Sequence, residues 1–222
     1  MLSRIAAAVV PSLGRLTVTA DPATAPPPGS IVVANHTSLA DPGIVLAALL
    51  RLGIEPVVLA TAGLWRIPVL GRLLERGGHV PVHRGTHRAA AALDEAVAAL
   101  RDGRHILLYG EGRLPSRTDA AEAPPETFRT GLARLAHASG APVVPLGQAG
   151  ARRVTSGRRA KQLSGLLTAP ARRPRLHVHV GSAVHLPPDV EEATATARAA
   201  VTSAWRTAAA HLGEPAALRP AP

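Results

Sequence analysis

The sequence predicts an α/β fold with a mostly parallel central sheet flanked by helices. Short runs rich in Val, Ile and Leu alternate along the chain with longer segments of helical periodicity, which is typical of parallel sheets. At 222 residues, the chain has the size of one domain with a substantial core. Hydrophobic residues make up 46% of the chain and aromatics only 2%, so this core has to be built from Ala, Val, Leu and Ile.

The first half of the chain supplies the first three predicted strands. Before Pro11 the opening segment has an apolar run of six residues, which is too short to span a bilayer but suits a short amphipathic helix lying on one. Thr86 is placed to cap a helix and Gly103 to end it. Strands are predicted at 30–34, 56–60 and 79–83, and helical segments at 42–53, 64–76 and 86–101.

The second half continues the alternation and adds one strand with a clean two-residue period. This strand, 176–180, places Leu176, Val178 and Val180 on one face, and we expect His177 and His179 at ordinary surface positions. A metal at these two histidines is disfavoured, since no third ligand is near in sequence. The other predictions are strands at 105–110 and 142–147, a loop at 111–127, helices at 128–139 and 190–212, and a flexible tail at 214–222.

Charge and cysteine content narrow the function classes. The absence of cysteine excludes disulfides, thiolate metal sites and a cysteine nucleophile. The net charge is +10, and the segment 151–175 holds eight basic and no acidic residues. Such a basic segment favours an anionic partner, either nucleic acid or an anionic bilayer, with a solvated surface loop as the alternative. Within it, Leu163, Leu166 and Leu167 are spaced for one apolar helix face that can reach into a membrane interface.

The stretch VVANHTSLADP at 32–42 indicates where the chemistry lies. Because proline suits the first turn of a helix and restricts the residue before it, we expect Asp41 to be the N-cap and 35–40 to be a loop. The loop lets the Asp41 carboxylate approach His36 beyond the carboxyl end of a strand, where open α/β sheets bind ligands. A histidine oriented by a carboxylate is a general base. Ser38 is not expected to be a nucleophile, since no G-x-S-x-G occurs in the chain.

Four motifs between residues 30 and 150 resemble those of the lysophosphatidic acid acyltransferase family, the glycerolipid acyltransferases. NHTSLAD is similar to its first motif, of the His-x4-Asp type, and GGHVPVHR to a second that ends in an arginine, here Arg84. LLYGEGRLPSR resembles the third, in which an aromatic precedes Pro-Glu-Gly. The segment ETFRTGLARLAHASGAPVVPLG resembles a Phe-x-x-Gly helix and a final Val-Pro pair, here Val144 and Pro145.

The resemblance implies a glycerolipid acyltransferase-like fold, a single acyltransferase domain at 1–213, and a role for each motif. His36 and Asp41 would be the catalytic pair, and substrate would bind at Arg84, Glu111, Gly112 and Arg113. Glu111 would bind acceptor hydroxyls or anchor an arginine. Gly110 stands where the family usually has proline, and RLPS replaces its Thr-Arg-Ser. The arginine that holds an acceptor phosphate would therefore be Arg113 or, less favoured, Arg117.

The implied reaction moves an acyl group from acyl-CoA or acyl carrier protein to a hydroxyl of a lysophospholipid or related lipid. Backbone N–H groups at the helix start would stabilise the oxyanion, and no metal or redox cofactor is needed. Two alternatives stay open: a hydrolase with the same base, and a non-enzymatic basic protein that binds membrane or nucleic acid. Nucleic acid is not expected, because aromatic residues for base stacking are almost absent. We expect a cytoplasmic chain bound peripherally to the inner face of an anionic membrane.

Overall fold

A computed structural model describes residues 1–21, 26–83, 88–115, 119 and 121–214, with every side chain in these ranges except those at 88, 89 and 159. None of the helices in these ranges is long and apolar enough to cross a bilayer. The elements in chain order are α1 (Leu2–Leu13), β1 (Arg15–Ala20), β2 (Ile31–Ala34), α2 (Asp41–Arg51), β3 (Val57–Thr61), α3 (Pro68–Arg76), β4 (Val80–Val82), α4 (Arg88–Arg101), β5 (Ile106–Tyr109), α5 (Gly131–Ser139), β6 (Val143–Ala149), α6 (Arg159–Arg172), β7 (Arg175–Val180) and α7 (Val190–His211).

The seven strands form one sheet in the order β1-β7-β6-β2-β5-β3-β4. All neighbouring pairs are parallel except β6 and β7, so the predicted fold class is confirmed. The four residues of β2 are all buried because the strand lies in the middle of the sheet, with helices on both faces. Val32 and Ala34 belong to a core shared with α1 and α2, whereas Ile31 and Val33 belong to one shared with α4, α5 and α7.

Close packing of α7 on β6 depends on the absence of a side chain at Gly147. A Cβ atom at Gly147 would overlap the α7 backbone at Ala204 and Trp205. Ala197, Val201 and other small residues of the helix are buried at the same interface. The alanine-rich composition therefore serves a core in which helix and sheet backbones approach closely.

The surface positions predicted for His177 and His179 are wrong. The His177 side chain is 0% exposed, because β1 pairs with β7 along its whole length and the His211 ring stacks on the His177 ring at 3.8 Å. Hydroxyl oxygens of Thr17 and Thr19 contact the two ring nitrogens of His177 at 2.7 and 3.0 Å. The error follows from β1, which the sequence reading did not recognise as a strand.

The basic segment 151–175 is mainly helical, not a loop, since α6 spans most of it. Its first arginine is not a surface residue: Arg152 is 4% exposed. Arg153 pairs with Glu214. Only part of the charge predicted for an anionic partner is therefore available on the surface. Thr86 and the tail beyond Glu214 lie outside the described residues.

Candidate active site

The loop between β2 and α2 brings the histidine and the aspartate together. β2 ends at Ala34 and α2 begins at Asp41, so residues 35–40 turn above the carboxyl end of a central strand. The Nδ1 atom of His36 lies 2.9 Å from Oδ2 of Asp41. Asp41 is fully buried, whereas His36 is partly accessible and its Nε2 atom has no hydrogen-bond partner among the described residues. One ring nitrogen is held by the protein, and the other is available to a substrate.

Asp41 organises the loop and does not cap the helix, so its predicted N-cap position is wrong. It is the first residue of α2, and Ala40 occupies the N-cap without a side-chain hydrogen bond. The Asp41 carboxylate turns back and accepts hydrogen bonds from the backbone N–H groups of Thr37 and Ser38. These donors, and the N–H of Ala40 that bonds to the Ser38 hydroxyl, are thus engaged and are not free to bind an oxyanion.

The ring of Tyr109 supports the imidazole from one side. Tyr109 is the last residue of β5, next to β2 in the sheet. Its ring stacks on the His36 ring with centroids 4.2 Å apart and an interplanar angle of 25°. The Tyr109 hydroxyl is buried and has no hydrogen-bond partner among the described residues. Burial raises its pKa well above the ordinary value. The phenol therefore stays neutral, and its ring fixes the plane of His36.

Glu111 lies against the loop 35–40. It is 3% exposed, and its Oε1 atom accepts a hydrogen bond from the backbone N–H of His36 at 3.2 Å. The other oxygen, Oε2, is buried without a partner among the described residues. Burial raises the pKa of Glu111 to about 7. No arginine pairs with this carboxyl in the described part of the chain, so its observed structural role is to hold the His36 backbone.

Gly112 and Arg113 follow in a turn at the end of β5. Gly112 has a positive φ of 66° and donates its N–H to the Tyr109 carbonyl at 3.0 Å, a conformation that favours glycine. The Arg113 side chain is 67% exposed, and its Nη2 atom lies 3.7 Å from Glu126 Oε2. The structure thus places Arg113 in a surface ion pair. Arg84 and Arg117, predicted to bind an anionic substrate, lie outside the described residues.

A hydrogen-bond network holds the loop 35–40 against β6 and the segment after it. The sequence did not indicate this network. Asn35 exchanges two hydrogen bonds with the backbone of Gln148, and the Gln148 amide donates to the Thr37 hydroxyl at 3.1 Å. Arg152 donates from Nη1 to the Thr37 carbonyl at 2.9 Å. Asn35 is part of the NHTSLAD stretch, but the positions of Gln148 and Arg152 depend on tertiary packing alone.

Gly110 departs from the family pattern for a packing reason. A Cβ atom at this position would overlap the ring of Phe128, which is 4% exposed. The backbone N–H of Gly110 also donates to the Ala34 carbonyl at 3.3 Å, a bond that proline cannot make. The predicted helix at 128–139 begins later, at Gly131, because Phe128 packs inward under the turn.

An apolar groove of about 560 Å³ adjoins the loop 35–40. It lies between α1, the first turns of α2 and α6, and Leu39, Ala40 and Pro42 of the loop and helix start form one wall. His36, Asp41 and Glu111 are not part of its lining. The volume is in the range of small-molecule sites. A long apolar substituent in the groove would therefore end beside the loop that carries His36.

Comparison with known proteins defines the class of this protein. Residues 15–148 match the family described as Acyltransferase. This match spans more than half of the chain, and the chain therefore belongs to the acyltransferase family. The family and the enzyme class predicted from the motifs are confirmed.

One solved structure with a similar fold is the crystal structure of the 1-acyl-sn-glycerophosphate (LPA) acyltransferase, PlsC, from Thermotoga maritima. The two chains are 18% identical with a TM-score of 0.70, and the match covers 100% of this chain and 80% of that one. At this identity the likeness shows a shared fold. The search of curated proteins gave no match.

Proposed function

We propose that this acyltransferase moves a fatty acyl group from a thioester donor, acyl-CoA or acyl carrier protein, to a hydroxyl of a lysophospholipid or related lipid. The observation that carries the proposal is the contact of His36 Nδ1 with Asp41 at 2.9 Å, which leaves Nε2 available. A ring held in this way can take a proton only at Nε2. This is the arrangement of a general base for a hydroxyl nucleophile.

The reaction moves one proton from the acceptor hydroxyl to His36 and then to the departing thiolate. His36 Nε2 takes the proton from the acceptor hydroxyl while its oxygen attacks the thioester carbonyl carbon. The tetrahedral intermediate then expels the donor thiolate, which takes the proton from the imidazolium. The carbon–oxygen bond of the new ester replaces the carbon–sulfur bond of the donor, and Asp41 stabilises the imidazolium while it exists.

The stacked Tyr109 ring and the Glu111 carboxyl position this base. Tyr109 limits tilting of the His36 ring, and Glu111 holds the His36 backbone through its N–H. Binding of an acceptor hydroxyl at the unpartnered Glu111 Oε2 would require this buried atom to become accessible to substrate. Because burial raises the pKa of Glu111 to about 7, this carboxyl can be either a donor or an acceptor near neutral pH.

The apolar groove supports a lipid substrate. Its lining is formed almost entirely by aliphatic side chains such as Leu46, Val154 and Leu176, which suit a hydrocarbon chain. Arg84 and Arg113, with Arg117 as the less favoured alternative to Arg113, would supply positive charge for an acceptor phosphate or for the phosphates of the donor. This assignment rests on the motif resemblance and on the exposure of Arg113.

A turnover assay tests the proposal. Purified protein is incubated with labelled acyl-CoA or acyl carrier protein and a panel of lysophospholipids and glycerol phosphate, and the products are resolved by mass. The expected result is a labelled diacyl lipid. Free fatty acid as the main product would indicate a hydrolase, and no thioester consumption with either donor would indicate a binding protein; both results contradict the proposal.

A further inference from the structure

The exposed apolar side chains of this protein are gathered at one place. Among the large apolar side chains that are exposed in the described ranges, every one except Leu52 lies in the groove lining or within three residues of it along the chain. We name as the apolar rim the six residues at the centre of this group. They are Ile5, Val9, Leu39, Leu163, Leu166 and Leu167.

The apolar rim protrudes into solvent. Leu163 and Leu167 are 60% and 72% exposed, although they lie on a helix that buries Ala169 completely. Leu163, Leu166 and Leu167 have the spacing of one helix face. Exposed apolar residues scattered singly need no explanation, but a contiguous group marks a surface that binds something apolar.

Positive charge surrounds the rim on the α6 side. Arg158, Lys161, Arg172 and Arg173 are exposed, and no acidic residue occurs between 151 and 175. Arg158 and Lys161 form no ion pair with a described residue. Arg172 bonds to carbonyl groups of Arg153 and Gly165, which leaves its charge uncompensated. An amphipathic helix with leucines on one face and cations beside them is typical of helices that lie in a lipid interface.

We propose that α1 and α6 form a docking surface for an anionic lipid bilayer, with the apolar rim among the acyl chains and Arg158, Lys161, Arg172 and Arg173 at the headgroups. The inference deepens the proposed function and rests on it for the lipid nature of the substrates. In this orientation the groove opens directly into the bilayer. A lipid chain then reaches the catalytic loop at Leu39 without crossing water.

An acidic protein also suits a basic surface, but the rim favours a bilayer. The cores of protein interfaces are well packed against a fixed partner shape, whereas Leu163 and Leu167 project into solvent at the edge of the groove. Leu39 extends the apolar face from the helices onto the catalytic loop, where it is 61% exposed. A fluid apolar phase can cover a face that is shared between two helices, a loop and a groove.

Vesicle co-sedimentation of the full chain tests the docking surface. Vesicles of phosphatidylcholine alone are compared with vesicles that also contain phosphatidylglycerol, at low and at high salt. We expect binding to the anionic vesicles that weakens with salt. The double variant Arg158→Ser, Lys161→Ser should bind them roughly thirtyfold more weakly at low salt, at about 1 kcal/mol for each cation near the surface.

A second variant and a control test the apolar part of the docking surface. Leu163→Ser together with Leu167→Ser should weaken binding to both kinds of vesicle, on the order of tenfold for each leucine. Leu52→Ser removes an exposed leucine at the far end of α2 and should bind as the parent does. Equal binding by the α6 leucine variant and the Leu52 control, or binding indifferent to lipid charge and salt, would overturn the proposal.

Different experimental results would refute the docking surface and the proposed function. An enzyme that transfers acyl groups to detergent-dispersed acceptors but does not sediment with vesicles would refute docking alone. A protein that sediments as expected but turns over neither thioester donor would refute the proposed function alone. Arg158→Ser, Lys161→Ser should keep transfer to detergent-dispersed acceptors. An acidic acyl carrier protein that binds the parent but not this variant, without any vesicle binding, would replace the bilayer with a protein partner.

Discussion

At the scale of single residues, the proposed mechanism depends on the ring of His36. Replacing His36 with alanine removes the proposed base, its contact with the buried Asp41 carboxylate and its stacking on Tyr109. We expect kcat/KM for acyl transfer to fall roughly 10²- to 10⁴-fold, while the protein stays folded with a free energy of unfolding lowered by about 1–3 kcal/mol. Near-normal turnover by a folded His36→Ala protein would exclude the general-base mechanism.

In the proposed mechanism Asp41 has a second role besides orienting His36, because its carboxylate also holds the fold of the loop. Its carboxylate is fully buried and accepts hydrogen bonds from two loop N–H groups as well as from His36. Asp41→Ala would leave these donors unsatisfied, at a cost of about 1–3 kcal/mol for each. We therefore expect it to lower both activity and the free energy of unfolding, measured by urea denaturation. A loss of activity at parental stability would show that the loop is held by other bonds.

Tyr109 offers a way to separate ring stacking from hydrogen bonding. Its hydroxyl is buried without a described partner, so Tyr109→Phe should keep kcat and leave stability unchanged or slightly higher. Tyr109→Ala removes the ring beneath His36, and we expect a lower kcat together with a loss of about 3–5 kcal/mol in stability. Steady-state kinetics and denaturation of both variants provide the measurement. A Tyr109→Phe protein with strongly reduced kcat would show that the hydroxyl contacts substrate.

Arg113 is predicted to bind an anionic substrate, but in the structure it forms a surface ion pair with Glu126. If it binds an anionic substrate equally in the ground and transition states, Arg113→Ala should raise KM and change kcat little. Glu126→Gln is the matched control, because it removes the carboxylate that Arg113 contacts at 3.7 Å and leaves the guanidinium free. We expect this control to lower KM or leave it unchanged. Parental KM for both substrates in Arg113→Ala would place this arginine outside the site.

At the scale of elements, sequence patterns predicted the central strands and most of the helices, but not the strand β1 or the helix α6. The central strands are continuous apolar runs between turn residues, and their burial on both faces is what parallel sheets require. β1 was missed because RLTVTA contains only two large apolar residues and pairs at the sheet edge. The later start of α5 reflects a tertiary contact, Phe128 under Gly110, that no local pattern encodes.

The contact between Gly110 and Phe128 joins two elements and can be tested directly. Gly110→Ala places a methyl group against the buried Phe128 ring, and overpacking of this kind typically costs about 1–3 kcal/mol. Phe128→Leu leaves more space, so the double variant should lose less stability than the sum of the single variants. Urea unfolding of the four proteins gives the coupling energy. Strict additivity would show that the turn moves away from Phe128.

At the scale of the whole molecule, the site is assembled where three neighbouring strands of the sheet end. His36 follows β2, Glu111 follows β5, and Gln148 lies near the end of β6. Parallel order brings these carboxyl ends to one edge, so the loops that follow β2 and β5 meet there. The sequence could not predict the roles of Arg152 and Gln148, since their contacts depend on how the segment after β6 folds back over the loop.

Acid stability is also a property of the whole molecule, because two distant histidines are buried in the neutral form. Burial lowers the pKa of His79 and of His177 from 6.5 to about 4; His79 lies in the turn between α3 and β4, and His177 lies on β7. Between these values the unfolded chain binds more protons than the folded one. The free energy of unfolding therefore decreases as pH falls from 6.5 towards 4, at most by about 1.4 kcal/mol per pH unit for each histidine.

This decrease can be assigned to one histidine by substitution. We expect His177→Gln to flatten the loss of stability between about pH 7 and about pH 5, relative to the parent. Urea unfolding at the two pH values measures the difference. Glu111 acts in the opposite direction, since burial raises its pKa from 4.5 to about 7 and the folded chain then binds more protons in this range. The comparison must therefore be made between variants that keep Glu111, and an equal pH dependence in His177→Gln and the parent would show that His177 does not contribute.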